Sequence, residues 1–417
     1  MLTRTFMKFL GRCPSWVPVL TLAVASSFWI GQTRGWHPWG FATQTNVFSF
    51  VDLTGRLANL DQLFQTGNIY HVFDYLAFTY PPTAITLFAP FHFLTVAACY
   101  WLWTFISLVA LATLCYQGSL LVFEHNHKQL VLSSSALMVF GIALLPSIYE
   151  CLDLGQTGLI ICALVIYDYF HPSRGQGLLV GVAIALKILP LLFVVWWIVN
   201  RNWRAARNSL AMVVAFVVLA FIFWGKSTDY YIRVIVRRGA EFHQLLSGPK
   251  LRANSSVIAP LVVGPQRAFF ISHKWLLGLI ILTSVVFFLM ATRYLHSHYM
   301  PLAALITLTI GSNVVSLVTW DHYLVVVILL PLLWWRETPL GHTSGKLILA
   351  SFLLYVVPWW RMRYGRLSHQ WSHSLHVFAL LGPQVAMTLF LIGVLTAARR
   401  RQFGLAPPVA ARAVNSR

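Results

Sequence analysis

Negative charge is what this chain has least of. Only 11 of its 417 residues are Asp or Glu, against 30 Lys and Arg, and the four charged types together make up 10%. Soluble domains carry about 25%. With 58% of residues hydrophobic, that scarcity excludes an ordinary water-soluble protein and points to one integral membrane domain over 1–417. Metal-ligand spacing is also missing. Cys13, Cys99, Cys115, Cys151 and Cys162 lie in or beside apolar runs; an odd count makes no disulfide framework, so they read as small core residues. No metal site and no cofactor is expected, a divalent metal being left open. The run Val17–Ile30 lacks a small-x-small cleavage site, which favours an uncleaved first helix over a signal peptide.

Long apolar runs are what is there. A helix needs about 20 apolar residues to cross the hydrocarbon, and runs of that kind lie near 16–32, 81–95, 97–121, 129–147, 155–170, 178–199, 207–225, 274–292, 300–319, 322–335, 346–360 and 375–397. The fold class is therefore all-α and polytopic, with about twelve transmembrane helices; 81–95 and 97–121 can also be one bent element. Short loops rich in Lys and Arg face the cytoplasm. Arg4, Lys8 and Arg12, then Arg201, Arg204 and Arg207, then Arg293, then Arg336 with Lys346, then Arg399–Arg401 all fall inside on that count. Segments 33–80, 226–273, 320–322 and 361–374 fall outside, and Glu150–Gln156 falls inside. The end of the chain, 398–417, reads as a disordered cytoplasmic tail.

The first outer segment, 33–80, is unusually polar. Its FSFVDLTGRLANLDQLFQTGNIYHVFDYLAFTYPP, completed by Pro82, carries Asp52, Asp61 and Asp74 beside Arg56 and His71. Tyr80-Pro81-Pro82 stops a helix or restarts one, since proline fixes φ and lacks an amide hydrogen. An acid-bearing segment held against a membrane scaffold suggests chemistry at the membrane surface.

The second, 226–273, breaks the charge rule with Lys226, Arg233, Arg237, Arg238, Lys250, Arg252 and Arg267 against Asp229 and Glu241; 361–374 adds Arg361, Arg363 and Arg366. Late loops translocate whatever their charge, and anionic lipid needs neutralising. The sharper reading is a basic, aromatic-lined chamber for phosphate-bearing lipids. Nucleic acid is not an expected partner; the lipid bilayer is.

Lys187 interrupts the apolar run GVAIALKILPLLF, where a lysine costs roughly 2.5–3.5 kcal/mol. It either snorkels or pairs with Asp168 or Asp153, or it holds a phosphate. Asp321-His322, in TWDHY, is an interfacial cap, an acid/base pair, or a corner of a metal site. Gln156, in LDLGQTG, binds a substrate or caps a helix. Asn254, in RANSSV, is a turn former before it is anything else.

These residues carry a resemblance. TYPPTAITLFAP after an acidic loop, then LDLGQTG, LVGVAIALKILPLLF, NRNWRAA and SLVTWDHYLVVVILLP resemble glycosyltransferase family 87, in the family's order, over roughly residues 48–335. The resemblance implies a multispan transferase of the bacterial inner (plasma) membrane with an extracytoplasmic active site. It implies a polyprenyl-phosphate sugar donor and a lipid-linked glycan, glycolipid or polysaccharide acceptor, the sugar being mannose in α linkage or, alternatively, arabinofuranose. By position, Asp52 matches the family's acidic catalytic base and Tyr80 opens the motif that re-enters the membrane. Lys187 matches the lysine of the KxxP span. Asp321 and His322 match a polar pair usually written with two histidines, the second being Tyr323 here. Arg56, Tyr80, Gln156, Lys187, Arg252, Asn254, Asp321 and His322 stand as substrate-binding residues. TGRLANLDQLF departs from the aromatic-rich version common in mannosyl members. A single base and cations on the departing phosphate suit direct displacement with inversion.

A lipid or polyprenyl-sugar flippase accounts equally well for many spans and Lys187. It predicts repeated halves, and 1–200 shows no self-similarity to 207–397; nor does a transporter need carboxylates in a long first outer segment.

Overall fold

A computed structural model describes residues 50–70, 78, 80–123, 126–236, 269, 272–316, 323–337, 343–356 and 373–402. Among them every regular element is helical. In order these are α1 (Val51–Thr66), α2 (Pro82–Phe88) with a 3₁₀ turn (Ala89–Phe93), α3 (Val96–Phe123) and α4 (His127–Leu144). Then come α5 (Pro146–Asp153), α6 (Gly158–Phe170), α7 (Leu178–Leu186), α8 (Leu191–Val199) and α9 (Trp203–Phe223). A short α10 (Gly225–Tyr230) runs into a π turn (Tyr231–Val236). The chain closes with α11 (Lys274–Ser297), α12 (Pro301–Val314), a 3₁₀ turn (Val325–Leu329) leading into α13 (Leu330–Glu337), α14 (Thr343–Val356) and α15 (His373–Gln402). The last helix therefore runs past 398, where the tail was expected to begin.

Packing follows chain order. α3 lies against α4 and α6, α6 against α7, α7 against α9, α11 against α12, and α14 against α15. One buried apolar core joins them, from Leu53 on α1 to Ala398 on α15. Four helices, α3, α4, α9 and α11, are each long and apolar enough to cross a membrane; α5 and α6 make a fifth if their 116° bend is one broken span. The flanks of α9 and α11 leave Val214, Phe221, Ile222, Leu282 and Met290 exposed, which suits contact with lipid rather than water.

Three expected spans are not single helices, and one of them, 322–335, is the 3₁₀ turn Val325–Leu329 leading into α13. The run 81–95 is α2 plus a 3₁₀ turn, together only about 20 Å long by their rises per residue, against a hydrocarbon core of about 30 Å. The run 178–199 is divided into α7 and α8 by an extended Lys187 (φ −159°, ψ 133°) and by Pro190, which cannot donate to the helix ladder. The two halves turn back on each other. Asn202 Nδ2, just beyond α8, donates to Gln176 Oε1 just before α7 at 3.0 Å. Ser209 Oγ donates to the carbonyl of Gly177 at 2.6 Å. At Gly177 (φ +101°) any side chain would run into the Ala205 carbonyl, so the approach of α9 there requires glycine. The pair is a hairpin that returns to the side it starts from, with Lys187 at its tip.

A broken helix inside an apolar scaffold exposes carbonyls that need partners. Thr83 Oγ1, on α2, donates to the Ala185 carbonyl at 2.7 Å, and Ser312 Oγ, on α12, donates to the Leu189 carbonyl. At the far end of α7, the buried Asp168 carboxylate accepts from the amides of Gly177 and Val180, each at 2.9 Å. Asp168 thus caps the start of the helix whose other end is Lys187, and the expected Lys187–Asp168 pair does not form.

Candidate functional site

The site grows from the first turn of α1. Leu53, Leu60 and Leu63 recur at helical spacing and are buried. Gly67 ends the helix in the left-handed conformation with its amide on the Leu63 carbonyl at 2.7 Å, a common helix stop. What looked like a loop in 33–80 is therefore partly a docked helix. Its start is clamped to the turn between α5 and α6: the Phe50 amide donates to the Asp153 carbonyl (2.6 Å) and the Leu53 amide to that of Leu154 (3.2 Å). Gly155 closes that turn with φ +71°, and a Cβ there would sit 2.7 Å from Leu53 Cβ. No bulkier residue lets α1 come so near.

Asp52 and Arg56, one helical turn apart, both face this turn. Arg56 is buried; its Nη1 donates to the Gly155 carbonyl at 2.5 Å and its Nη2 to Gln156 Oε1 at 3.1 Å. The other end of the same amide, Gln156 Nε2, donates to Asp52 Oδ2. Tyr80 adds its hydroxyl, donating to Gln156 Oε1 at 3.2 Å, with Thr157 Oγ1 3.4 Å away. The guanidinium lies over the rings of Tyr80 (4.9 Å), Phe88 (5.5 Å) and Trp103 (5.7 Å), a cage whose faces attract a cation.

Lys187 also approaches the Tyr80 ring, its Nζ 5.6 Å from the centroid. It donates to the Tyr323 hydroxyl and lies 3.6 Å from the centroid of that ring. Tyr323 is held from behind, its carbonyl accepting from Asn313 Nδ2 at 3.2 Å. One half-buried carboxylate and two cations thus share one neighbourhood, a net positive charge that a bound anion would balance.

Of the residues expected at the site, Asp52, Arg56, Tyr80, Gln156 and Lys187 are brought together. Arg252, Asn254, Asp321 and His322, with Asp74 and His71, lie outside the described residues. Asp61 goes elsewhere. Nine residues from Asp52 it points out of the opposite face of α1, where its Oδ1 meets His92 Nδ1 at 2.9 Å and Phe64 stacks on that imidazole at 4.1 Å. Gln156 has both ends of its amide engaged by protein partners. Its contact with Asp52 puts the two side chains on one face, so 33–80 outside and Glu150–Gln156 inside cannot both hold. Sequence reasoning missed Tyr323 as Lys187's partner; the signal was its place beside Asp321-His322. Phe88 and Trp103 gave no signal, being aromatic residues in apolar runs like many others. Cys99, Cys115, Cys151 and Cys162 are buried, as core residues should be, and no cluster of three metal-ligating side chains occurs among the described residues.

Fold and site place the chain among helical membrane proteins that build a polar site where helices break. More particularly, the chain belongs to glycosyltransferase family 87, whose profile matches residues 78–319. That range takes in Tyr80, Gln156 and Lys187 and leaves Asp52 and Arg56 upstream. The chain is 26% identical over 418 residues to a polyprenol-phosphate-mannose-dependent alpha-(1-2)-phosphatidylinositol mannoside mannosyltransferase of Mycobacterium tuberculosis, covering 91% of this chain and 93% of the relative. It is 25% identical to the corresponding phosphatidylinositol pentamannoside mannosyltransferase of Mycolicibacterium smegmatis, over 75% of this chain and 77% of the relative. No solved structure matches.

Proposed function

We propose that this protein transfers mannose from a polyprenyl-phosphate donor to a hydroxyl of a glycolipid acceptor, forming an α linkage with inversion. The observation that supports the proposal is that Asp52 and Lys187 both lie near Tyr80, Asp52 through Gln156, which bonds the Tyr80 hydroxyl, and Lys187 with its Nζ 5.6 Å from the ring centroid. A polyprenyl phosphate is already a good leaving group. The enzyme therefore needs one base for the incoming hydroxyl and positive charge for the departing phosphate. Asp52 takes the hydroxyl proton while the acceptor oxygen forms its bond to the anomeric carbon. The bond from that carbon to the phosphate oxygen breaks with its electron pair, and Lys187 stabilises the charge that develops. Mannose is preferred to arabinofuranose because the relatives' names specify a mannose donor; membership of a transferase family argues against a flippase.

The extracytoplasmic face suits the reaction. Of the expected crossings, one before Gln156 (81–95) is too short and one after it (178–199) is a hairpin. Dropping both moves the 150–156 turn to the side of Asp52 and keeps Arg201, Arg204 and Arg207 inside, as the positive-inside rule asks.

The test is transfer by purified protein from radiolabelled polyprenyl-phosphate mannose, with polyprenyl-phosphate arabinofuranose as competitor, to phosphatidylinositol mannosides. Labelled product from the mannosyl donor alone supports the reading. Turnover of the arabinosyl donor alone replaces the sugar, and no turnover of either removes the proposed reaction.

A further inference from the structure

Gln156 is committed at both ends, and chemistry settles which end faces which neighbour. A guanidinium only donates, so the Gln156 atom 3.1 Å from Arg56 Nη2 is the amide oxygen, and the NH₂ is the end that faces Asp52. The Asp52 carboxylate, which only accepts, fixes the orientation a second time, and the Tyr80 hydroxyl donates to the same amide oxygen at 3.2 Å.

We propose that Gln156 is a positioning residue for Asp52: it ties Oδ2 down as an acceptor, leaves Oδ1 for the proton of the acceptor hydroxyl, and keeps Arg56 from capturing the carboxylate. This rests on the reading of Asp52 as the base. Asp52 and Arg56 are four residues apart on one helix, a spacing at which opposite charges pair. No ion pair joins them among the described residues; the amide stands between them. A guanidinium fork would occupy both carboxylate oxygens and leave none to accept a proton. The amide carries no charge and takes up one oxygen. The Gly155 carbonyl, at 2.5 Å from Nη1, and the ring of Tyr80 hold the guanidinium on the far side of the amide.

A positioning role acts on kcat and only through Asp52. Gln156→Met keeps length and bulk while losing all three side-chain hydrogen bonds. We expect its kcat to fall about 10–100-fold, part of what a general base contributes, with KM for donor and acceptor within about twofold. The double variant Asp52→Asn/Gln156→Met should be no slower than Asp52→Asn alone, since there is no longer a base to position. A wild-type kcat for Gln156→Met overturns the proposal. A raised KM at unchanged kcat overturns it too, making Gln156 a substrate ligand, as do losses that add in the double variant. Wild-type turnover by Asp52→Asn is a different failure, because it removes the base itself. Should Gln156→Met not elute as one folded species, Tyr80→Phe decides. It deletes one hydrogen bond to the Gln156 oxygen and should lower kcat about threefold at unchanged KM, and an unchanged kcat overturns the proposal.

Discussion

The scaffold is interrupted twice near the site, and the two interruptions are built differently. At the α5–α6 bend the turn is tied to α1 by two backbone hydrogen bonds, and its polar side chain, Gln156, is bonded on both ends. At the tip of the α7–α8 hairpin the loose carbonyls are satisfied by Thr83 and Ser312, yet the cation that the break presents, Lys187, has one hydrogen-bond partner among the described residues for an ammonium with three donors. A saturated network holds geometry; a cation with donors to spare is ready for a ligand. On the proposed reaction, the first break would orient the base and the second would supply charge to the leaving group.

The largest effect should come from the group that the first break orients. Asp52→Asn keeps shape and can still meet Gln156, but it accepts no proton. We expect turnover to fall by about 10²–10⁴ with donor binding and elution unchanged. Turnover near the wild-type rate would take Asp52 out of the reaction and leave the first break without a function. Next comes Lys187. Lys187→Ala should cost about 10²–10³ in kcat, the scale of one lost transition-state donor, and Lys187→Arg should restore only part, a planar fork being a poor substitute for a point charge. Lys187→Met separates the two readings of this position. A structural lysine in an apolar setting is improved by methionine, whereas a phosphate ligand is lost, so wild-type rates in that variant would reduce the second break to a feature of folding.

A smaller effect, on stability rather than chemistry, is expected at Gly155. Alanine there must adopt φ near +71° with its Cβ 2.7 Å from Leu53 Cβ. A non-glycine residue held in that region costs about 1–3 kcal/mol, before any shift of α1. Thermal unfolding in detergent should show Gly155→Ala melting lower, with a kcat loss in proportion to how far α1 is pushed off. An unchanged melting temperature and kcat would show that the clamp on α1 is looser than its hydrogen bonds suggest.

How much of this was legible in the sequence depends on which physical signal carried it. Helical, lipid-adapted character followed from composition alone. Asp52, Arg56, Tyr80, Gln156 and Lys187 stood out because a polar residue beside apolar runs is costly and therefore conspicuous. Their mutual arrangement was not legible: Gln156 lies about 100 residues from its partners on α1, and no local pattern reports that separation. The hairpin escaped because hydropathy counts apolar residues and is blind to direction; Ile184 through Val195 reads the same whether the chain crosses or turns back. Pro190 and Lys187 were the available clues, and each also occurs in straight spans. The expected separation of 33–80 from 150–156 across the membrane failed for the same reason, since a single miscounted crossing inverts every assignment until the next.

The smallest effect sharpens the comparison most, because it concerns the one hydrogen-bond partner that Lys187 has among the described residues. Tyr323 accepts a hydrogen bond from Lys187 and presents its ring to the ammonium at 3.6 Å. If the second break existed to satisfy a buried lysine, removing the hydroxyl would strand that charge, and Tyr323→Phe would resemble Lys187→Ala. If Lys187 waits for a phosphate, the hydroxyl only holds its place until the donor arrives. The ring remains in Tyr323→Phe, and a cation–π contact worth about 0.5–2 kcal/mol keeps the ammonium over it. We therefore expect Tyr323→Phe to leave kcat within about threefold of wild type, the worth of one hydrogen bond, and KM for the donor unchanged or lower, since phosphate no longer competes with the phenol. Tyr323→Leu removes the ring as well and should raise the donor KM. Initial rates against donor concentration for both variants decide the matter: a Phe variant as slow as Lys187→Ala would mean that the second break, like the first, is saturated, and that the leaving group finds its positive charge elsewhere.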